Sequence, residues 1–131
     1  MKMFTLEQIK AAHNKVKSGM EFPAYIQEIK ALGVTHYEAY VIDGHLNYHG
    51  INHYSVNTLA EYEPLKVSEK VKIEDFKKGL KSHQQGNTDY LTFIKICAET
   101  GIEKWKISMK EMTCTYFGIE GDIVLVEQIP H

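Results

Sequence analysis

The hydrophobic positions form two successive blocks, and each block changes from helical spacing to strict alternation. In the first, Thr5-Leu6-Glu7-Gln8 has the form of a capping box. Leu6, Ile9, His13, Val16 and Met20 follow at helical spacing, with Gly19 as the stop. Pro23 suits the first turn of a second helix that carries Tyr25, Ile26, Ile29 and Leu32 on one stripe and ends at Gly33. Residues 34–42 alternate as a strand, and Asp43-Gly44 fits a two-residue type I′ turn. That turn pairs Ile42 with His45, Val41 with Leu46, Ala39 with Tyr48 and Glu38 with His49. One face is then Tyr37, Ala39, Val41, Leu46 and Tyr48, and the other His36, Glu38, Tyr40, His45, Asn47 and His49. A third strand is expected at 53–57.

A connector, 58–72, contains Pro64 and a short strand-like Leu65-Lys66-Val67. The second block opens with Ile73, Phe76, Leu80 and His83 on one helical stripe, broken by Gly86-Asn87. Thr88 is the expected cap of a fourth helix, apolar nearly all round (Tyr90, Leu91, Phe93, Ile94, Ile96, Cys97, Ala98) and so the most buried, with Gly101 closing it. Strand 102–110 places Trp105, Ile107 and Met109 inward and Lys104, Lys106, Ser108 and Lys110 outward. Strands 113–118 and 122–129 follow, turned at Glu120-Gly121. In this last hairpin Cys114, Tyr116, Ile123, Leu125 and Glu127 are expected on one face, and Thr115, Phe117, Val124 and Val126 on the other. Both faces are apolar, so the second needs cover, from the other block or a second chain.

Shifting residues 24–56 forward by 68 positions aligns the two blocks without a gap. Ile26/Ile94, Gly33/Gly101, Tyr48/Tyr116, Gly50/Gly118, Ile51/Ile119 and Val56/Val124 are identical, and Tyr37/Trp105 and Val34/Ile102 keep their character. The reading is one α+β domain, 1–131, made of internally duplicated ααβββ units at 5–57 and 73–129. Helices pack on one face of one antiparallel sheet or of two packed sheets.

Composition narrows the classes. A chain 44 % hydrophobic and 24 % charged is that of an ordinary soluble globular domain. A net charge of −2 gives no electrostatic reason for nucleic-acid or membrane binding. Two cysteines make no disulfide framework, and no apolar run is long enough to span a bilayer, so a cytoplasmic location is expected.

His83-Gln84-Gln85-Gly86-Asn87-Thr88-Asp89-Tyr90, with Trp105, Met112–Phe117 (MTCTYF) and Glu127-Gln128-Ile129-Pro130, resembles the YdfO-like family of small bacterial and prophage proteins, sometimes labelled "phage envelope protein". The resemblance covers nearly the whole chain. It implies an α+β fold and a bacterial or prophage origin, and no reaction, cofactor or partner. The chain departs from the pattern at Phe117-Gly118, where a second aromatic followed by an acidic residue is expected.

Three kinds of chemistry remain open. His36, His45 and His49 on one sheet face are candidate Zn²⁺ or Ni²⁺ ligands with Glu38, against the simpler reading of a solvated polar face. His83, Gln84, Asp89 and Tyr90 at a helix junction, with Tyr37, Tyr48, Trp105 and Tyr116 where the two blocks meet, are candidate ligand-binding residues for a small organic molecule or a peptide. His83, Cys114 and Glu127 are candidates for a nucleophilic hydrolase- or transferase-like site. No Walker loop, GxSxG or HExxH is present, and no cofactor is expected. The leading expectation is a non-enzymatic binding or regulatory protein with its site between the repeats. The alternatives are that small enzyme, or an oligomer-forming structural protein. A homodimer through Phe117, Val124 and Val126 is the expected assembly.

Overall fold

A computed structural model describes residues 4–16 and 21–129. Gly19 and Met20, assigned above to the first helix, and Pro130 lie outside the described residues. The elements are α1 (Leu6–His13), α2 (Phe22–Leu32), β1 (His36–Tyr40), β2 (Leu46–His49), β3 (Ser55–Asn57), α3 (Ile73–Gln84), α4 (Tyr90–Glu99), β4 (Ile102–Ser108), β5 (Thr113–Gly118) and β6 (Ile123–Gln128). The strands form a single antiparallel sheet in the order β3-β2-β1-β4-β5-β6. The fold is α+β, and of the two arrangements left open above it is the one continuous sheet.

Local chemistry sets most boundaries. The Thr5 side chain accepts from Gln8 N while Gln8 reaches back to Thr5 N, so the capping box is made. Gly33 closes α2 at φ 114°, a left-handed angle that costs other residues energy. The cap of α4 is Asp89, whose carboxylate accepts from Thr92 N at 2.8 Å. Thr88, the expected cap, instead receives the His83 ring. The burial of α4 is also one-sided: Phe93, Ile94, Cys97 and Ala98 are buried, while Tyr90 and Leu91 in its first turn remain about half exposed.

The first hairpin differs from its expected register. His36 lies opposite His49, Tyr37 opposite Tyr48, Glu38 opposite Asn47 and Ala39 opposite Leu46. Tyr40 N donates to His45 O and Gly44 N to Tyr40 O, so 41–44 form a longer loop, which the connector holds through Glu61 N to Asp43 O and Leu65 N to Ile42 O. The shift is by two residues, so every side chain keeps its expected face. The third strand is shorter than expected because Asn52 and His53 take left-handed angles (φ 56° and 64°) in a 3-10 turn. Leu65-Lys66-Val67 joins no strand. The connector is instead stitched down by Leu65 N to Ile42 O, Ser68 N to Ala98 O and Lys72 N to Thr100 O.

The helices cover one face only. Tyr37, Ala39, Tyr48, Ile107, Cys114 and Tyr116 on that face are buried, and Ile9, Ile26, Ile29, Phe76, Leu80, Phe93, Ile94 and Cys97 meet them from the helices. Tyr40, Phe117 and Val126, on the opposite face, join neither the core nor its partly buried rim. Leu125 pairs with Tyr116 but Ile123 pairs with Phe117, so a bulge sits at Val124. It corrects the expected faces. Ile123 turns to the uncovered side and is 64 % exposed, while Val124 packs against the core and drops out of the outer strip.

Two glycines separate backbone strain from crowding. Gly86 has φ +82° with open space where a Cβ would stand, whereas a Cβ on Gly101 (φ +87°) would lie 2.7 Å from Lys70 O. Gly86→Ala is expected to cost about 1 kcal/mol from the left-handed angle alone. Gly101→Ala should cost about 3 kcal/mol, because the connector backbone must also move. Denaturant midpoints measure both; equal losses would contradict the assigned contact.

Candidate functional site

The residues singled out in the sequence fall into three places. Tyr37, Tyr48 and Tyr116 lie at 4 %, 5 % and 6 % exposure inside the core, with Trp105 partly buried beside them. Tyr37 and Tyr48 pack at 5.1 Å between ring centres, Trp105 and Tyr116 at 6.2 Å, and Phe76 stands edge-on to Tyr116 at 4.9 Å. The Tyr25 and Tyr48 hydroxyls meet at 3.4 Å. Burial pushes the Tyr37, Tyr48 and Tyr116 hydroxyls well above their ordinary range. These side chains fill the space between the helices and the sheet.

His83, Gln84, Asp89, Tyr90, Cys114 and Glu127 form the second place, at the α3–α4 corner and the end of β6. The His83 ring stacks on Phe93 at 4.5 Å, and its Nδ1 lies 3.0 Å from Thr88 Oγ1. Gln84 Nε2 donates to Glu127 Oε1 at 3.1 Å, and the Tyr116 hydroxyl donates to the same oxygen at 3.5 Å. Asp89 is spent on its cap, which holds its carboxyl below the usual range. The Tyr90 hydroxyl is pushed up to about 12 by burial, with Cys97 and Tyr48 adding to the effect. Cys114 is buried, and desolvation pushes its thiol up to about 12, against a lowering hydrogen bond with Tyr116. Among the described residues no hydrogen bond joins His83 to Cys114 or to Glu127. A nucleophilic thiol needs a depressed pKa and a base beside it, and this corner gives Cys114 the reverse.

The third place is the uncovered sheet face, centred on the seam where β1 pairs with β4. There Glu38 lies opposite Lys106 and Tyr40 opposite Lys104. Glu38 Oε1 lies 3.0 Å from His49 Nε2, and Lys104 Nζ donates to Glu38 Oε2 at 3.3 Å. Lys104 also sits between two rings, its Nζ 5.4 Å from the centre of Tyr40 and 5.5 Å from that of Phe117. His36 stacks on His49, and His45 on Tyr40, both at 4.3 Å and nearly parallel. The nitrogens of the three candidate metal ligands go elsewhere: His36 Nδ1 meets Thr35 Oγ1, His45 Nδ1 meets Asp43, and His49 Nε2 meets Glu38. Among the described residues no group of three or more His, Cys, Asp or Glu is placed to hold a metal ion.

Charge on this face is unevenly used. Burial alone would raise the Glu38 carboxyl, but the His49 and Lys104 bonds outweigh it and hold it below its ordinary value. Burial, then His49 and Lys106, lower the His36 pKa. Glu38 is therefore occupied, while Lys106 on the same face is exposed to solvent. The Lys104 position between two rings from different halves was not readable from the sequence. Lys104, Tyr40 and Phe117 are outward positions in the pattern, but only the β1–β4 pairing brings them together.

Fold and site define a two-layer α+β protein which, among the described residues, has four helices on one face of a six-stranded antiparallel sheet and a ring- and lysine-bearing face left open. The chain belongs to the family described as "Protein of unknown function (DUF1398)", whose model matches residues 10–128. No curated protein matches it. No helix among the described residues is long and apolar enough to cross a membrane.

Two outcomes follow. Glu38→Gln is expected to cost about 1 kcal/mol at pH 7. A carboxyl held low in the fold stabilises above its unfolded pKa near 4.5 and loses that contribution as pH falls through the folded value. The gap to the native protein should therefore narrow as pH falls below 4.5 in denaturant titrations; a gap independent of pH would contradict the assigned ion pairs. Cys114 and Cys97 should resist iodoacetamide at pH 8 in the native state and label fully in urea, read by mass. Rapid native labelling of Cys114 would contradict the buried, protonated thiol.

Proposed function

We propose that this protein is a non-enzymatic binding module whose site is the uncovered face at the β1–β4 seam, and that it takes an acidic, partly apolar protein segment. The observation that carries the reading is Lys104 held between Tyr40 and Phe117, with Lys106 exposed one step along the strand. A lysine between aromatic rings with a second, exposed lysine beside it favours carboxylates flanked by apolar side chains. Glu38, the carboxylate that the β1–β4 register sets on this face, is already engaged by His49 and Lys104. Exposed Val126 and Ile123 extend the surface with apolar area.

The expected ligand site at Tyr37, Tyr48, Trp105 and Tyr116 lies on the reverse of the same seam, where these rings serve as the wall behind it. Duplication belongs to this reading. Tyr37 opposite Tyr48 has its counterpart in Trp105 opposite Tyr116, at the same 68-residue offset that aligns the sequence. A seam between two copies of one unit is a natural place for a symmetric surface. Resemblance to the YdfO-like proteins adds a bacterial or prophage setting.

The test is an NMR titration of labelled protein with a synthetic peptide of alternating Glu and Leu at low salt. Amides of β1, β4 and β5 should shift while α1 and α3 stay still. Lys104→Glu with Lys106→Glu should weaken binding by about tenfold or more, as should added salt. A peptide that moves only helical amides, or none, would overturn the proposal.

A further inference from the structure

We propose that two copies of this chain join edge to edge through β6, about a twofold axis at Val126, into one continuous sheet twice as wide. The argument begins with the ladder. β6 pairs with β5 alone and forms one edge of the sheet. Ile129 N donates to Met112 O at 2.8 Å. Bonded and non-bonded pairs alternate in an antiparallel ladder, so Glu127 and Leu125 bond inward to Cys114 and Tyr116. The N–H and C=O of Val126 and Gln128 therefore point away from β5, toward the open edge.

Natural edge strands are shielded by lysine, proline or shortness. β6 reads Ile-Val-Leu-Val-Glu-Gln, without proline or lysine, and Val126 is 50 % exposed. The bulge at Val124 bends its start, but 125–128 are regular. The other edge is different: β3 spans Ser55–Asn57, two of its three residues are polar, and left-handed Asn52 and His53 precede it. Pairing β6 with β6 closes a dimer, whereas β6 with β3 would propagate an open chain.

Charge complementarity selects a second copy as the occupant. A groove of about 290 Å³ lies between α3 and β6, lined by Lys77, Leu80, Lys81, Gln84, Leu125 and Glu127. Among the described residues neither Lys77 nor Lys81 makes an ion pair. With Val126 on the axis, Val126 faces its own copy, and Leu125 faces Glu127 of the second copy. Each chain's own Glu127 is held in its groove by Gln84 and Tyr116 through Oε1, and the second copy's Glu127 comes beside Leu125, where Lys77 and Lys81 offset the two carboxylates, twice per dimer. A twofold of this kind is perpendicular to the sheet. It keeps both helix layers on one side and both uncovered faces on the other. The expected homodimer surface of Phe117, Val124 and Val126 is thereby revised to the edge itself, with Val126 retained and Val124 withdrawn.

Sedimentation velocity on the full chain tests this. The native protein should be a dimer. Val126→Pro removes an outward N–H without touching the β5–β6 ladder, and should give a monomer with an unchanged far-UV spectrum. Lys77→Glu should weaken dimerisation by about tenfold, and adding Glu127→Lys should restore it. If Val126→Pro fails to fold, the charge-swap pair decides alone. A native monomer at every accessible concentration overturns the proposal, as does a Val126→Pro dimer or a charge swap without effect and without rescue.

Discussion

The antiparallel pairing of β1 with β4 is the contact on which everything else rests. Among the described residues each half supplies three strands and two helices, and a unit that small buries a smaller fraction of its surface than the joined domain does. Joining β1 to β4 turns two edges into a centre and creates one covered face long enough for a shared core. Side-chain sizes fit the join: Ala39 lies opposite Trp105, and Tyr37 opposite Ile107, on the covered side. On the open side the same register sets Glu38 against Lys106 and Tyr40 against Lys104. One backbone ladder therefore decides both what is buried and what is displayed.

The chemistry of the molecule follows from that division. The candidate catalytic groups lie on the covered side of it. Cys114 is enclosed with its thiol protonated, His83 is fixed by Phe93 and Thr88, and Glu127 is held by Gln84 and Tyr116. On the open side, half-buried charges are protected laterally rather than from above. Imidazoles stack on each other and on Tyr40, and an ammonium group lies between rings. Side chains ordered by their neighbours lose less freedom on any further contact, which suits the proposed use of this face.

Much of this architecture could be read from residue order, because local rules determine it. The capping box at Thr5, the stop at Gly33, the inward set Tyr37, Ala39 and Tyr48 and the outward histidines all follow from period and turn chemistry. The misses came where a distant contact overrode a local preference. Asp43-Gly44 favours a two-residue turn, but the connector bonds to the loop at Val41 O, Ile42 O and Asp43 O, and the turn spans 41–44. Alternation put Val124 outside, and a bulge turned it in. Lys104, Tyr40 and Phe117 come from separate segments, and their meeting depends on a strand order that periodicity does not encode.

Native-state hydrogen exchange measures the central claim most directly. If the β1–β4 pairing holds the two halves as one unit, the seam amides of Tyr37, Ala39, Trp105 and Ile107, which the ladder points across it, should exchange only by global unfolding, with the same denaturant dependence in both strands. Amides of the short edge strand β3 should open earlier and independently. Seam amides that exchange through a smaller opening, while the cores of the two halves stay protected, would show that the halves stand alone and would contradict the account.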